Sequence, residues 1–364
     1  MLGTLLIVGV SCTPIELSQP LVVISEVPLA PSAPLEVAWD RNVEGALGPG
    51  APIVTKSFLT LGTRRGDVGL VDLEKGVLDG SSSFGRSIEG GVVLAPDGRR
   101  AFIPLASGEH GLLAHDLVAG RRLWRASLGP VQTTPVLFGN VVVAAAMNGT
   151  VEGLAVDTGE PVWTHRPDTM ATYRASPLPL GGDVVFANDR GEVVSRIAAT
   201  GALRWSASVG GPVYTSMAAG GDHVLVPTTR GTLTALSAAT GETAWQVDLG
   251  EGIRMGAPLV VGDQVIVGTS TGEAVALDLQ TGAERWRTDV EGVVRARPAR
   301  GDGVVYVGTM ARQLLALDLD TGAVIWETTA RGRIKTDLTV AGDLLIVATE
   351  PRHIVAYRTV RPNS

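Results

Sequence analysis

Six of the seven tryptophans in this 364-residue chain stand on one ruler. Trp124, Trp163, Trp205, Trp245, Trp286 and Trp326 follow one another at steps of 39, 42, 40, 41 and 40 residues. Trp39 lies 85 before Trp124, two steps with one tryptophan skipped. A period near forty marks one supersecondary unit copied many times, each copy too small to bury its own apolar face. A fold built around a single central core has no need of such spacing.

The neighbours of each tryptophan define the unit. A glycine stands four residues earlier, at Gly120, Gly159, Gly201, Gly241, Gly282 and Gly322. Thr158, Thr200, Thr240, Thr281 and Thr321 precede it in five repeats, and Asp72, Asp116, Asp278 and Asp318 lie four before the glycine in four. Glycine permits a positive-φ turn, and Asp or Thr side chains can bond nearby amides, so the motif predicts a tight hairpin. In the skipped repeat, Gly76 holds the glycine position and Gly80 the tryptophan position. One full unit, from Trp163 to Trp205, reads as four short strands separated by turn residues, with an apolar second strand at 184–188. An apolar run without alternation fits a strand covered on both faces.

Four-stranded units repeated radially predict an all-β fold, an eight-bladed β-propeller of four-stranded antiparallel blades. The chain opens with an orphan tryptophan strand, Leu35–Asp40, and ends with three strands at Asp337–Val340, Leu344–Thr349 and His353–Arg358. The N-terminal strand is therefore expected to complete the last blade, which removes two open edges. The propeller should span 35–360, leaving 361–364 as a tail. All seven tryptophans, Trp39 included, are expected to be structural, each burying a ring between blades and donating its indole N–H to a backbone acceptor.

Composition limits the function. Glycine is 46 of 364 residues and charged residues are 18%, which suits a large packed core rather than disorder. The net charge of −7 argues against a nucleic-acid binder. Residues 2–11 are too short to span a bilayer and read as the apolar part of a signal peptide ending at Cys12, the only cysteine. Gly9–Cys12 resembles a bacterial lipobox, which predicts lipidation of Cys12, with a proline-rich tether over 13–34. The five histidines have no ligand spacing, and the repeated aspartates are explained by turn capping, so no metal or cofactor is expected.

The stretches 276–286 and 316–326 resemble the tryptophan-docking motif of quinoprotein-type propeller repeats. Within that superfamily the size, the eight repeats and the lipobox resemble the BamB family. The resemblance implies a non-enzymatic outer-membrane lipoprotein facing the periplasm, expected to be a monomer. Its implied partners are the barrel-forming subunit of the β-barrel assembly machinery and nascent outer-membrane proteins. Two other readings stay open. Quinone-dependent dehydrogenases share the blades but are much longer and carry a cysteine pair that this chain cannot form. A generic envelope propeller of unassigned ligand is the third reading, since fold does not give function.

Partner binding is expected where the loops enter the innermost strands, at one mouth of the central channel. Aligned on that strand, one position per blade reads Pro49, Glu89, Gln132, Arg174, Tyr214, Met255, Arg295 and Lys335, with Arg254, Arg297 and Arg333 close by. Large and cationic side chains at a position that repeats should make uniform point to recognition. The alternative is that they pack over the tryptophan layer or simply face solvent. The BamB resemblance adds Thr169–Arg174, and with it Met170 and Tyr173, and Gly211–Tyr214, while an acidic residue of the family is absent before the second. The expected partner-binding set is Met170, Tyr173, Arg174, Tyr214, Arg254, Met255, Arg295 and Lys335.

Overall fold

Each forty-residue unit becomes one antiparallel sheet. The computed structural model describes Ile15, Leu21 and residues 30–43, 45–48 and 50–360; Cys12, Pro49, most of the 13–34 segment and the 361–364 tail lie outside them. The described residues contain no helix and form eight sheets. Blades 1 to 7 span 53–83, 93–126, 136–165, 178–208, 218–248, 259–289 and 299–329, each of four strands in chain order. Blade 8 combines 333–359 with Leu35–Asn42.

Closure follows the expected pairing. Leu35–Asn42 lies antiparallel to His353–Thr359, with Leu35 opposite Thr359 and Asn42 opposite His353. Blade 8 departs from the four-strand plan. Its innermost strand is split into Arg333–Ile334 and Thr339–Ala341, both pairing with the long strand Leu344–Glu350. The intervening residues 335–338 leave the ladder, and two of their side chains are engaged elsewhere: Lys335 pairs with Glu350, and Asp337 accepts the Arg297 amide.

The core is divided into eight apolar clusters, one between each pair of neighbouring blades. Second strands such as Val141–Ala145 and Val304–Gly308 are buried along their whole length, which explains why they do not alternate. In every outer strand the register slips just before the tryptophan position, as between Ala276 and Leu277 opposite Trp286 and Glu284. A bulge of this kind re-aims the next side chain.

Six interfaces share one clamp. The indole N–H of Trp39, Trp124, Trp163, Trp205, Trp245 and Trp286 donates to a turn carbonyl of the next blade, at Leu73, Val156, Ala198, Ala238, Leu279 and Leu319, over 2.8–3.0 Å. The same ring lies on that blade's motif glycine: a Cβ at Gly282 would sit 2.7 Å from Trp245, and one at Gly201 would sit 2.5 Å from Trp163. Gly201 has φ 71° and Gly282 φ 73°, as the turn requires. The glycine thus answers two demands, a left-handed turn and a bare surface for the ring. The aspartates cap these turns as expected; Asp278 Oδ1 accepts the amides of Gln280 and Thr281 at 3.0 and 2.9 Å. With Arg285 also bonded to it, the Asp278 carboxyl is held down to about 2.

Two interfaces differ. Between blades 7 and 8 the hairpin that would receive Trp326 is cut by the closure, and Trp326 is half-buried, edge-on to Tyr357 at 6.4 Å. Between blades 1 and 2, Gly80 supplies no ring. Replacing Trp245 with alanine should lower the unfolding free energy by about 3–5 kcal/mol. Gly282→Ala, which forces a Cβ onto the indole, should cost about 1–3 kcal/mol. Urea denaturation checks both, and a Gly282→Ala protein as stable as the parent would exclude the ring-on-glycine contact as a source of stability.

Candidate functional site

The loops between blades and the turns joining second to third strands meet at one end of the wheel. Backbone hydrogen bonds fix their phase: Asp189 N donates to Thr172 O over 3.1 Å, and Thr229 N to Pro212 O over 3.0 Å. The residue after each acceptor, Tyr173 or Val213, points inward and is fully buried. The next, Arg174 or Tyr214, points outward and is exposed. The Arg174 guanidinium stands 5.6 Å over the Tyr214 ring, joining blades 4 and 5. A cation–π pair at an exposed site contributes about 0.5–1 kcal/mol.

Two expected partner-binding residues are turned the wrong way. Tyr173 is 0% exposed and packs edge-on against Phe186 at 5.7 Å between blades 3 and 4. Burial pushes its phenol well above the ordinary range. Met255 is 4% exposed in the cluster between blades 5 and 6. Counting back from the innermost strand aligned Met255 with Arg174, yet Ser270 N bonds Arg254 O over 2.8 Å, so Met255 matches Tyr173 instead. Blade 6 is one residue shorter here: the buried Gly256 follows Met255 with no outward side chain between, and Arg254 is exposed one step before Met255. The remaining expected residues reach the surface to different degrees. Met170 is 92% exposed on the loop into blade 4, and Arg295 is exposed on blade 7. Lys335 is half-buried and bonded to Glu350 over 2.8 Å.

Charge is uneven around this rim. On blades 1, 2 and 8 it is internally paired: Glu89 with Arg64 over 3.0 Å, and Glu350 with both Lys335 and Arg333. The Lys335 ammonium, with Arg333 and Arg64 behind it, holds the Glu350 carboxyl below the usual range. From blade 4 to blade 7, Arg174, Arg254 and Arg295 make no ion pair among the described residues, while Glu251 and Glu291 stand exposed on the same loops. The arc therefore presents the guanidiniums of Arg174, Arg254 and Arg295, the Tyr214 ring and the Met170 thioether on a protein of net charge −7.

Further down the channel the repeat carries small residues at one position: Ala51, Gly91, Thr134, Ser176, Ser216 and Ala257. Some of these form a circumferential chain, Gly91 N to Thr134 Oγ1 and Thr134 N to Ser176 Oγ, at 2.8 and 2.9 Å. Blades 7 and 8 place Arg297 and Asp337 there, with Arg297 N bonded to Asp337 Oδ1 at 2.8 Å. The Arg297 side chain reaches two blades back, to Met217 O at 3.4 Å. Burial raises the Asp337 carboxyl, and Arg297 opposes that shift. Arg297 borders a cleft of about 600 Å3 with Leu259, Arg300 and Leu338. The sequence marked Arg297 only as a neighbour of the rim; its break from the small-residue pattern was the available signal. No cluster of His, Cys, Asp or Glu suited to a metal ion occurs among the described residues.

Comparison with known proteins identifies the repeat. The profile of the family described as outer membrane protein assembly factor BamB matches residues 64–216, 174–293 and 270–360. BamB of Alkalilimnicola ehrlichii is 31% identical over 138 residues, 35% of this chain and 36% of that protein. BamB of Burkholderia pseudomallei is 27% identical over 128 residues, 34% and 33% of the two chains. The chain thus aligns with about a third of the length of each of these relatives. The crystal structure of BamB from Moraxella catarrhalis superposes with TM-score 0.75 at 20% identity, covering 89% of this chain and 100% of that one. A computationally designed protein, Ika8, superposes equally well at 16% identity over 87% and 98% of the chains, so this likeness speaks for the wheel alone. By the profile match, which runs from residue 64 to 360, the chain belongs to the outer membrane protein assembly factor BamB family.

Proposed function

We propose that this protein is a non-enzymatic scaffold of the outer-membrane β-barrel assembly machinery, lipid-anchored through Cys12 and facing the periplasm. Its rim from blade 4 to blade 7 binds the barrel-forming subunit. Family membership supports the role, and one observation carries the site: the exposed Arg174–Tyr214 pair continued by Arg254 and Arg295. Arg and Tyr are the residue types that anchor interfaces, because each brings wide contact area and a polar group to a desolvated centre. Three guanidiniums without an internal ion pair favour an acidic loop on the partner, and exposed Met170 adds an adaptable apolar contact. Tyr173 and Met255 support the rim from beneath and take no part in contact.

Replacing Arg174 and Tyr214 together with alanine should weaken capture of the barrel-forming subunit by about thirtyfold or more, at more than about 1 kcal/mol for each anchor. The melting temperature should fall by no more than about 2 °C, since both side chains are exposed and only their cation–π contact is lost. Capture by the double variant at the parent affinity would remove the rim as the docking site. The anchor is tested apart from the rim. Mass spectrometry of the mature N-terminus should find an acylated cysteine, and Cys12→Ser should move the protein from the membrane to the soluble fraction. An unmodified Cys12 in membrane-associated protein would exclude the lipid.

A further inference from the structure

The interface between blades 1 and 2 keeps the parts that receive an indole. Gly120 has φ 61°, like the other motif glycines, and Leu117 follows the turn aspartate Asp116 as Leu73 follows Asp72. The ring itself is missing, because Gly80 occupies the tryptophan position. The bulge that aims that position at the next blade is nonetheless present, with Leu70 opposite Gly80 and Val71 opposite Leu78.

Two residues from far upstream fill this interface. Ile15 is 2% exposed and Leu21 6%, and both belong to the cluster of Val68, Leu70, Ile103 and Leu117. Ile15 N donates to Ser82 Oγ, on the outer strand of blade 1, over 3.2 Å. Leu21 N donates to Gly98 O, in the first hairpin of blade 2, over 2.9 Å. A Cβ at Gly98 would overlap the Leu21 carbonyl oxygen, so the backbones approach as only glycine allows. Phe84 packs against the cluster and meets the buried His115 ring edge-on at 5.1 Å.

We infer that the wall between blades 1 and 2 is a docking site for the chain's own N-terminal segment, whose Ile15 and Leu21 replace the missing indole and pin that segment to the wheel. Tryptophan at position 80 and the segment would compete for the same space. If Cys12 carries the lipid, as proposed above, Ile15 follows it by only three residues, a reach of about 10 Å. The flank of blades 1 and 2 would then ride beside the membrane instead of swinging on a long tether.

Hydrogen exchange on the full-length chain tests the docking whether or not Cys12 is acylated. The Leu21 amide should exchange at least about tenfold more slowly than in an unstructured peptide. Gly80→Trp should abolish that protection without lowering the melting temperature, since the new ring fits the Gly120 and Leu117 receiver. Ile15→Asp combined with Leu21→Asp should also abolish it, but with a melting temperature several degrees lower, because nothing then fills the interface. An unprotected Leu21 amide in the parent, or one indifferent to Gly80→Trp, would overturn the inference. Should Gly80→Trp fail to fold, the aspartate pair decides: an unchanged melting temperature overturns the inference, and a lowered one supports it.

Discussion

A tryptophan ring of one blade, lying flat on a bare glycine of the next and bonded to its turn carbonyl, is the contact on which the wheel depends. No blade can bury both of its faces alone, so cohesion comes from neighbours. The ring supplies apolar area, and its N–H satisfies a carbonyl that the packing would otherwise leave buried and unpaired. A bulge placed one residue before the ring sets its direction in each outer strand. Because the same three devices recur, blade order and angle are fixed by short-range contacts although the whole is closed over more than three hundred residues.

The places where the repeat is broken lie apart from this clamp or replace it. The rim position is neutral to the clamp, and there blades 4, 5 and 7 carry Arg174, Tyr214 and Arg295 exposed, while Glu89 and Lys335 on blades 2 and 8 are paired internally. The channel position is small in most blades, and there Arg297 and Asp337 depart. The tryptophan position is constant, and there Gly80 departs, with Ile15 and Leu21 in the space. A repeat protein thus separates what holds it together from what distinguishes it, residue by residue.

The blade number, the closure and the turn caps were legible because they rest on spacing and local chemistry. The tryptophan ruler counts the sheets, the orphan strand at Leu35 demands a partner, and an aspartate before a glycine turn has one obvious use. The rest depends on contacts between distant residues. Nothing near Gly282 announces that it touches Trp245, nor does anything near Leu21 announce Gly98. The misplacement of Met255 has a simpler origin. Its inward or outward direction is set by a backbone bond from Ser270, and counting along the chain missed a shift of one residue. For the rim, the sequence located the ring of divergent positions, but only burial separated Arg174 and Tyr214 from Tyr173.

The pairing of Leu35–Asn42 with His353–Thr359 also orders events during synthesis. The first of these strands leaves the ribosome more than three hundred residues before the second. At about 5–20 residues per second, it waits on the order of tens of seconds for its partner. Through that interval its ladder groups are open to any passing edge. Its sequence is armed against that hazard, with Pro34 just before it and Asp40 and Arg41 within it. Translation must therefore finish before the ring can, and a chain released early is left with an unsealed seam between its first and last blades.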